Sequence, residues 1–126
     1  QCSTLASSMD VAPTIMGLLG GDYRSVFFGR DALAIDPKDG YALMQHNHEI
    51  ALLNAKNQLT ILSSQKRVFS FDVNPATSEL IPRTELYTDD ASRLMSVLQT
   101  ANRLYYSDAC HPDANTRVAE VQKRIQ

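Results

Sequence analysis

The chain has 126 residues, 44% of them hydrophobic and 21% charged, with a net charge of −2. That is the composition of an ordinary globular chain, one domain or part of one, long enough to hide about two-thirds of its unfolded surface. Acidic and basic residues are interspersed, which gives no electrostatic footprint for nucleic acid or anionic lipid. No apolar run approaches the roughly 20 residues of a spanning helix, so neither nucleic-acid binding nor direct membrane insertion is expected of this segment.

Gln1 to Leu5 is short and mildly apolar. Asp10 then stands where an N-cap is expected, its carboxylate suited to the free N–H groups of a first turn. Pro13 falls within that turn, where no intrahelical donor is lost. Val11, Ile15, Leu18 and Leu19 follow at i, i+4, i+7 and i+8, one apolar face, and Gly20 and Gly21 end the helix. Residues 22–38 have no clean periodicity. Phe27 and Phe28 read as aromatic anchors, Gly29 as a tight point of the backbone, and Asp36, Pro37, Asp39 and Gly40 as a turn.

From Tyr41 the pattern changes. "YALMQ", "EIALL", "QLTIL" and "RVFSFDV" are short, apolar or alternating, and separated by "HNH", "NAKN" and "SSQK". Three or four strands joined by tight loops predict an antiparallel meander. In its last strand Phe69, Phe71 and Val73 alternate with Val68, Ser70 and Asp72, which predicts that Phe69 and Phe71 face inward. "ELIPRTELY" reads as one more extended piece, kept at a sheet edge by Pro82. Asp89 and Asp90 open a helix with Ala91, Leu94, Met95, Leu98, Ala101 and Tyr105 on one face. Cys110, Pro112 and Asp113 break it, and "NTRVAEVQKRIQ" reads as a short final helix with a thin apolar face. The order predicts an α+β fold, one small antiparallel sheet with a long helix on its apolar face.

Chemistry is sparse. "GLLGGDYR" lacks the Lys-Ser or Lys-Thr of a phosphate loop, and there is no nucleophile elbow. His46 and His48, with Glu49, would share a face if both lay on a strand and could then bind a metal, but no third ligand is identifiable; a polar turn or an exposed strand edge is the expected reading. Cys110-His111 reads as a coil after a helix rather than a thiolate pair. Cys2 and Cys110 have no CxxC spacing; they are either bridged in an oxidising compartment or two unrelated thiols. Asp22, Arg24, Arg30 and Asp31 form a charged cluster around the two phenylalanines. It either fixes the linker by ion pairs or lines the rim of a site made elsewhere.

"SSMDVAPTIMGLLG" followed by "YRSVFFGRDAL" resembles the sulfatase-like branch of the alkaline phosphatase superfamily, in which Ser-x-x-Asp-[Ile/Val/Leu]-x-Pro-Thr leads into a Leu-Gly helix end and then a Gly-Arg-Asp-type loop. The matching residues are Ser7, Asp10, Val11, Pro13, Thr14, Ile15, Leu18, Leu19 and Gly20, then Phe28, Gly29, Arg30, Asp31 and Leu33. The Phe-Phe-Gly-Arg-Asp form is most similar to the membrane-anchored lipoteichoic acid synthase and phosphoglycerol transferase type. Met9 departs from the His or Gln often found there in relatives, so that side chain does no polar work.

The resemblance implies a division of the chain. Residues 1–40 would be the closing helix and linker of a parent α/β catalytic domain. Residues 41–126 would be a C-terminal subdomain of about four antiparallel strands with the helix at 89–106 packed on them. The parent's nucleophile and metal-binding Asp-His pair would lie upstream, so no catalytic or metal-binding residue carries over. A divalent metal (Mn, Mg, Ca or Zn) would belong to the parent, a membrane-anchored transferase or ester hydrolase with its catalytic domain on the periplasmic or cell-surface side. The fragment alone would be inactive, with Arg24, Arg30 and Asp31 shaping the rim of the cleft. Its expected partner is the rest of that domain, and apolar surface left bare would favour self-association. Two other readings stand beside this one: a non-catalytic interaction module docking through the sheet edge or the Phe27–Phe28 loop, and a small metalloprotein using His46 and His48.

Overall fold

The computed structural model describes residues 3–20 and 28–107. Cys2, Asp22, Arg24, Phe27, Cys110, His111 and the expected final helix lie outside the described residues. The first helix, α1, spans Val11–Leu19 and follows a 3-10 turn at Ser8–Asp10. A second 3-10 turn, Pro37–Asp39, is opened by Asp36, whose carboxylate accepts the Lys38 backbone N–H at 3.0 Å.

Five strands follow, β1 (Tyr41–His46), β2 (Glu49–Asn54), β3 (Gln58–Leu62), β4 (Val68–Val73) and β5 (Leu80–Arg83). They pair in sequence order, each antiparallel to the next. The sheet thus has one strand more than the expected four, because the "ELIPRTELY" segment joins it. Pro82 is tolerated in β5 because this is an edge strand, where a missing N–H costs no ladder bond. The four hairpins turn without glycine: Asn47, Asn57, Lys66 and Ser78 each take a positive φ of 52–60°. At the second, the Asn54 side-chain oxygen accepts the Lys56 and Gln58 backbone N–H groups, a local turn device available to Asn and Asp.

The second helix, α2, spans Thr88–Tyr106 and crosses one face of the sheet. Asp89 and Asp90 lie in its first turn, their charges at the positive end of the helix dipole. Leu94 is fully buried against Leu52 and Leu62, and Tyr41, Leu43, Ile50, Val68, Met95 and Leu98 close around them. Tyr105, expected on the packed face, is exposed.

One expectation is reversed. The register puts Leu52 opposite Thr60 and Thr60 opposite Ser70, so Val68, Ser70 and Asp72 face α2, and Phe69 and Phe71 point the other way. The reason is polar. The Ser70 hydroxyl accepts the Tyr87 backbone N–H at 3.2 Å, and the Asp72 carboxylate accepts the Tyr87 hydroxyl. These polar positions of β4 fasten the chain as it enters α2, so the helix must lie on their side.

Candidate functional site

The quoted motif folds into a latch between α1 and the loop at 28–34. Asp10 is buried. One carboxylate oxygen accepts the Ser7 backbone N–H at 2.8 Å and the Ser7 hydroxyl at 3.2 Å; the other accepts the Arg30 backbone N–H at 2.7 Å. The expected capping role is therefore corrected. Asp10 occupies the N-cap position of α1, but its side chain makes no bond to that helix's first turn. It satisfies the donors of two other segments instead.

Thr14, one turn later on the same side of α1, completes the latch. Its hydroxyl donates to the Asp10 carbonyl at 2.6 Å and accepts the Ala32 N–H at 2.9 Å. Pro13, between them, is buried. Two glycines make the approach possible. A Cβ on Gly29 would lie 1.8 Å from the Met9 carbonyl oxygen, and one on Gly17 would lie 2.1 Å from an Asp31 carboxylate oxygen. The other Asp31 oxygen accepts the Leu33 N–H at 2.9 Å, a local turn.

Arg30 links the latch to the sheet. Its guanidinium stands 3.7 Å from the Asp10 carboxylate and donates to the Tyr41 carbonyl at 2.8 Å and the Asp39 carbonyl at 3.4 Å. It also lies over the Tyr41 ring, 3.4 Å from the centroid, and Arg93 of α2 approaches the same ring at 4.8 Å. A continuous line of contacts therefore runs from α1 through Asp10, Arg30, Tyr41 and Arg93 to α2. Of the three residues expected at a cleft rim, Arg30 makes these contacts, Asp31 accepts the Leu33 N–H and lies against Gly17, and Arg24 is outside the described residues.

A second polar group was not singled out from the sequence. Asp72 is held below its ordinary carboxylate pKa by the Tyr87 hydroxyl first and the Arg83 side chain second. Tyr87 is pushed up, chiefly by donating to Asp72. Arg83 Nε donates to Asp72 at 2.5 Å. Beside this clasp, Asn54 donates to Asp90 at 2.7 Å and Gln58 at 2.9 Å, and a cleft of about 300 Å³ opens at the start of α2. The available signal was Asp72 itself, a charge placed on a strand next to two phenylalanines.

His46 ends β1 and His48 lies in the two-residue turn before β2, so they do not share a strand face as a metal pair would require. Among the described residues no group of three or more His, Cys, Asp or Glu side chains is gathered as a metal site, and no helix is long and apolar enough to cross a membrane.

No family model matches the chain, and no curated protein matches it. Its fold is similar to part of the crystal structure of a protein in the alkaline phosphatase superfamily from Vibrio parahaemolyticus, with a TM-score of 0.73 and 22% sequence identity. The similarity covers 83% of this chain and 26% of that one, so this chain spans about a quarter of the length of the protein it matches. The fold of most of this chain therefore also occurs as part of a much larger chain in that superfamily.

Proposed function

We propose that this chain is the closing portion of a sulfatase-like enzyme of the lipoteichoic acid synthase and phosphoglycerol transferase type, and that it serves there as scaffold. The observation that carries this reading is the disproportion of the fold match, 83% of this chain against 26% of its neighbour. The latch supports it: the motif residues Asp10, Thr14, Gly29 and Arg30 hold backbone to backbone rather than presenting a reactive group.

The parent would catalyse in-line attack on a phosphate or sulfate ester. That reaction needs an activated hydroxyl nucleophile and a divalent cation to stabilise the developing charge, both supplied by residues outside this chain. The metal would be Mn, Mg, Ca or Zn, and the catalytic domain would face the periplasm or cell surface. The segment carrying Arg24, Arg30 and Asp31 would border the cleft. Arg30 and Asp31 would act mainly by fixing the local backbone.

The test is to express the gene at its full coding length and as residues 1–126, and to assay both on phosphate, phosphoglycerol and sulfate esters with and without a chelator. The expected result is chelator-sensitive turnover by the longer protein alone. Turnover by residues 1–126, or none by the longer protein on any of these esters, overturns the reading.

A further inference from the structure

Arg30 and Arg93 come from different parts of the chain, the loop after α1 and the second turn of α2. Both approach the ring of Tyr41, their Cζ atoms 3.4 and 4.8 Å from its centroid. These distances to one point put the two guanidinium carbons within about 8 Å of each other, where like charges repel. The ring offsets part of that cost. Carboxylates would offset more, and the fold supplies too few. Asp10 stands 3.7 Å from Arg30. Arg93 has no ion pair and no hydrogen bond among the described residues. Asp89 and Asp90 occupy the i−4 and i−3 positions from which helical ion pairs form. Yet Asp90 is taken by Asn54 at 2.7 Å, and the Arg93 guanidinium is turned to Tyr41. Two positive charges thus share one negative one, a surplus of a single positive charge.

Donors are left over as well. A guanidinium carries five N–H groups in a fixed fork. Arg30 donates to the Tyr41 and Asp39 carbonyls, at 2.8 and 3.4 Å, and keeps 24% of its side chain in solvent. Arg93 is exposed and donates to no described residue. The Tyr41 hydroxyl likewise has no hydrogen-bond partner among the described residues.

We propose that Arg30, Arg93 and Tyr41 form a binding site for an oxyanion carrying one negative charge, a carboxylate or a phosphodiester group. The two guanidiniums supply charge-assisted donors, the phenol supplies a further O–H donor, and the ring holds both cations by cation–π contact. One negative charge cancels the surplus; a dianion overfills it. The three residues come from the loop, the sheet and α2, so the site exists only where the latch and the helix are both docked. This goes beyond the scaffold reading, since it gives Arg30 a ligand, and it needs no residue outside this chain.

The experiment is arginine labelling by a dicarbonyl reagent, read residue by residue by peptide mass spectrometry, on the full coding length. The probes are acetate, dimethyl phosphate and sulfate, each exchanged for chloride at constant ionic strength. Arg103, exposed in the last turn of α2, is the internal control. The expected result is that acetate or dimethyl phosphate at about 50 mM slows labelling of Arg93 about fivefold or more, saturably, and leaves Arg103 unchanged. Stronger protection by acetate assigns the site to carboxylates, and by dimethyl phosphate to phosphodiesters. Arg30→Lys keeps the charge but loses the fork, and should weaken the protection about fivefold. Tyr41→Phe loses only the hydroxyl, should weaken it about threefold, and serves if circular dichroism shows Arg30→Lys unfolded. Equal slowing at Arg93 and Arg103 is screening alone and overturns the proposal. So does stronger protection by sulfate than by either monoanion, or protection undiminished in the folded variant. An Arg93 that resists labelling in chloride is covered by protein, which also overturns it. Turnover of esters tests the scaffold reading separately, and none of these results alters it.

Discussion

The Asp10 carboxylate accepts the backbone N–H of Arg30 at 2.7 Å, twenty positions along the chain. A single buried carboxylate thereby joins the start of a helix to a loop that no periodic pattern would place beside it. Loss of that acceptor leaves the Ser7 and Arg30 donors without their partner inside the fold. Asp10→Ala is expected to lower stability by about 2–4 kcal/mol, the range for stranding buried hydrogen-bonding groups. Urea unfolding measures it, and a loss below about 1 kcal/mol would show that the latch contributes little.

Gly29 and Gly20 separate two uses of glycine. A Cβ on Gly29 meets the Met9 main chain, which cannot swing aside. Gly29→Ala should therefore cost about 3 kcal/mol or more and release the loop from α1. Gly20 has open space, but its φ of 72° and ψ of 173° lie in a region essentially confined to glycine, so Gly20→Ala should cost about 2 kcal/mol, less than Gly29→Ala. Urea midpoints of the two variants, measured side by side, test the order.

The two faces of the sheet make opposite predictions for two large apolar residues. Leu94 is 1% exposed in the core under α2, and Leu94→Ala should cost about 3 kcal/mol. Phe69→Ala, on the far face, should cost less than about 1.5 kcal/mol in residues 1–126, since its ring is already partly in water. If Phe69→Ala were the costlier change, the assignment of α2 to the Ser70 face would be wrong.

Thr60 is fully buried, and its hydroxyl has no hydrogen-bond partner among the described residues. Removing an unpaired buried hydroxyl while keeping the branched shape relieves a desolvation cost. Thr60→Val should raise stability by about 1 kcal/mol, seen as a higher melting temperature. A lower melting temperature would point to a partner for that hydroxyl.

The Asp72 clasp makes stability depend on pH at both ends. Asp72 has a folded pKa below its unfolded one, so its contribution is present above the unfolded value and is lost as pH falls through the folded value, below about pH 4. Tyr87 has a folded pKa above its unfolded one, so its contribution is complete below about pH 10 and is lost as pH rises through the folded value. Both groups are in contact with solvent, so the effects are modest and weaken with salt. Tyr87→Phe removes the largest cause of the Asp72 shift and should flatten both limbs of a plot of urea midpoint against pH. Superimposable plots for the two proteins would show that the clasp does not form in solution.

Local patterning made most of the elements legible. β3 occupies the "QLTIL" run itself, β1, β2 and β4 fall on the apolar segments, and α2 begins one residue before the expected Asp89. The fifth strand was foreseen as an edge piece because Pro82 has no N–H to give a neighbour on both sides. These are properties of short windows, where side-chain period, turn residues and backbone donors are set by neighbours in sequence.

What the sequence determined by itself was therefore the α+β order, the meander and the helix that packs on it. Only the tertiary structure decided which face that helix covers, what Asp10 bonds to and how Arg30 reaches Tyr41. The physical reason is the same in each case. Alternation along β4 separates Phe69 from Ser70 but cannot rank the two faces when both are apolar across the sheet. That choice is made by Tyr87, seventeen residues from Ser70, when its N–H and hydroxyl find partners on β4. Likewise, a buried carboxylate takes its partners from whichever donors the fold brings to it, and the spacing from Asp10 to Arg30 has no periodicity from which to read them.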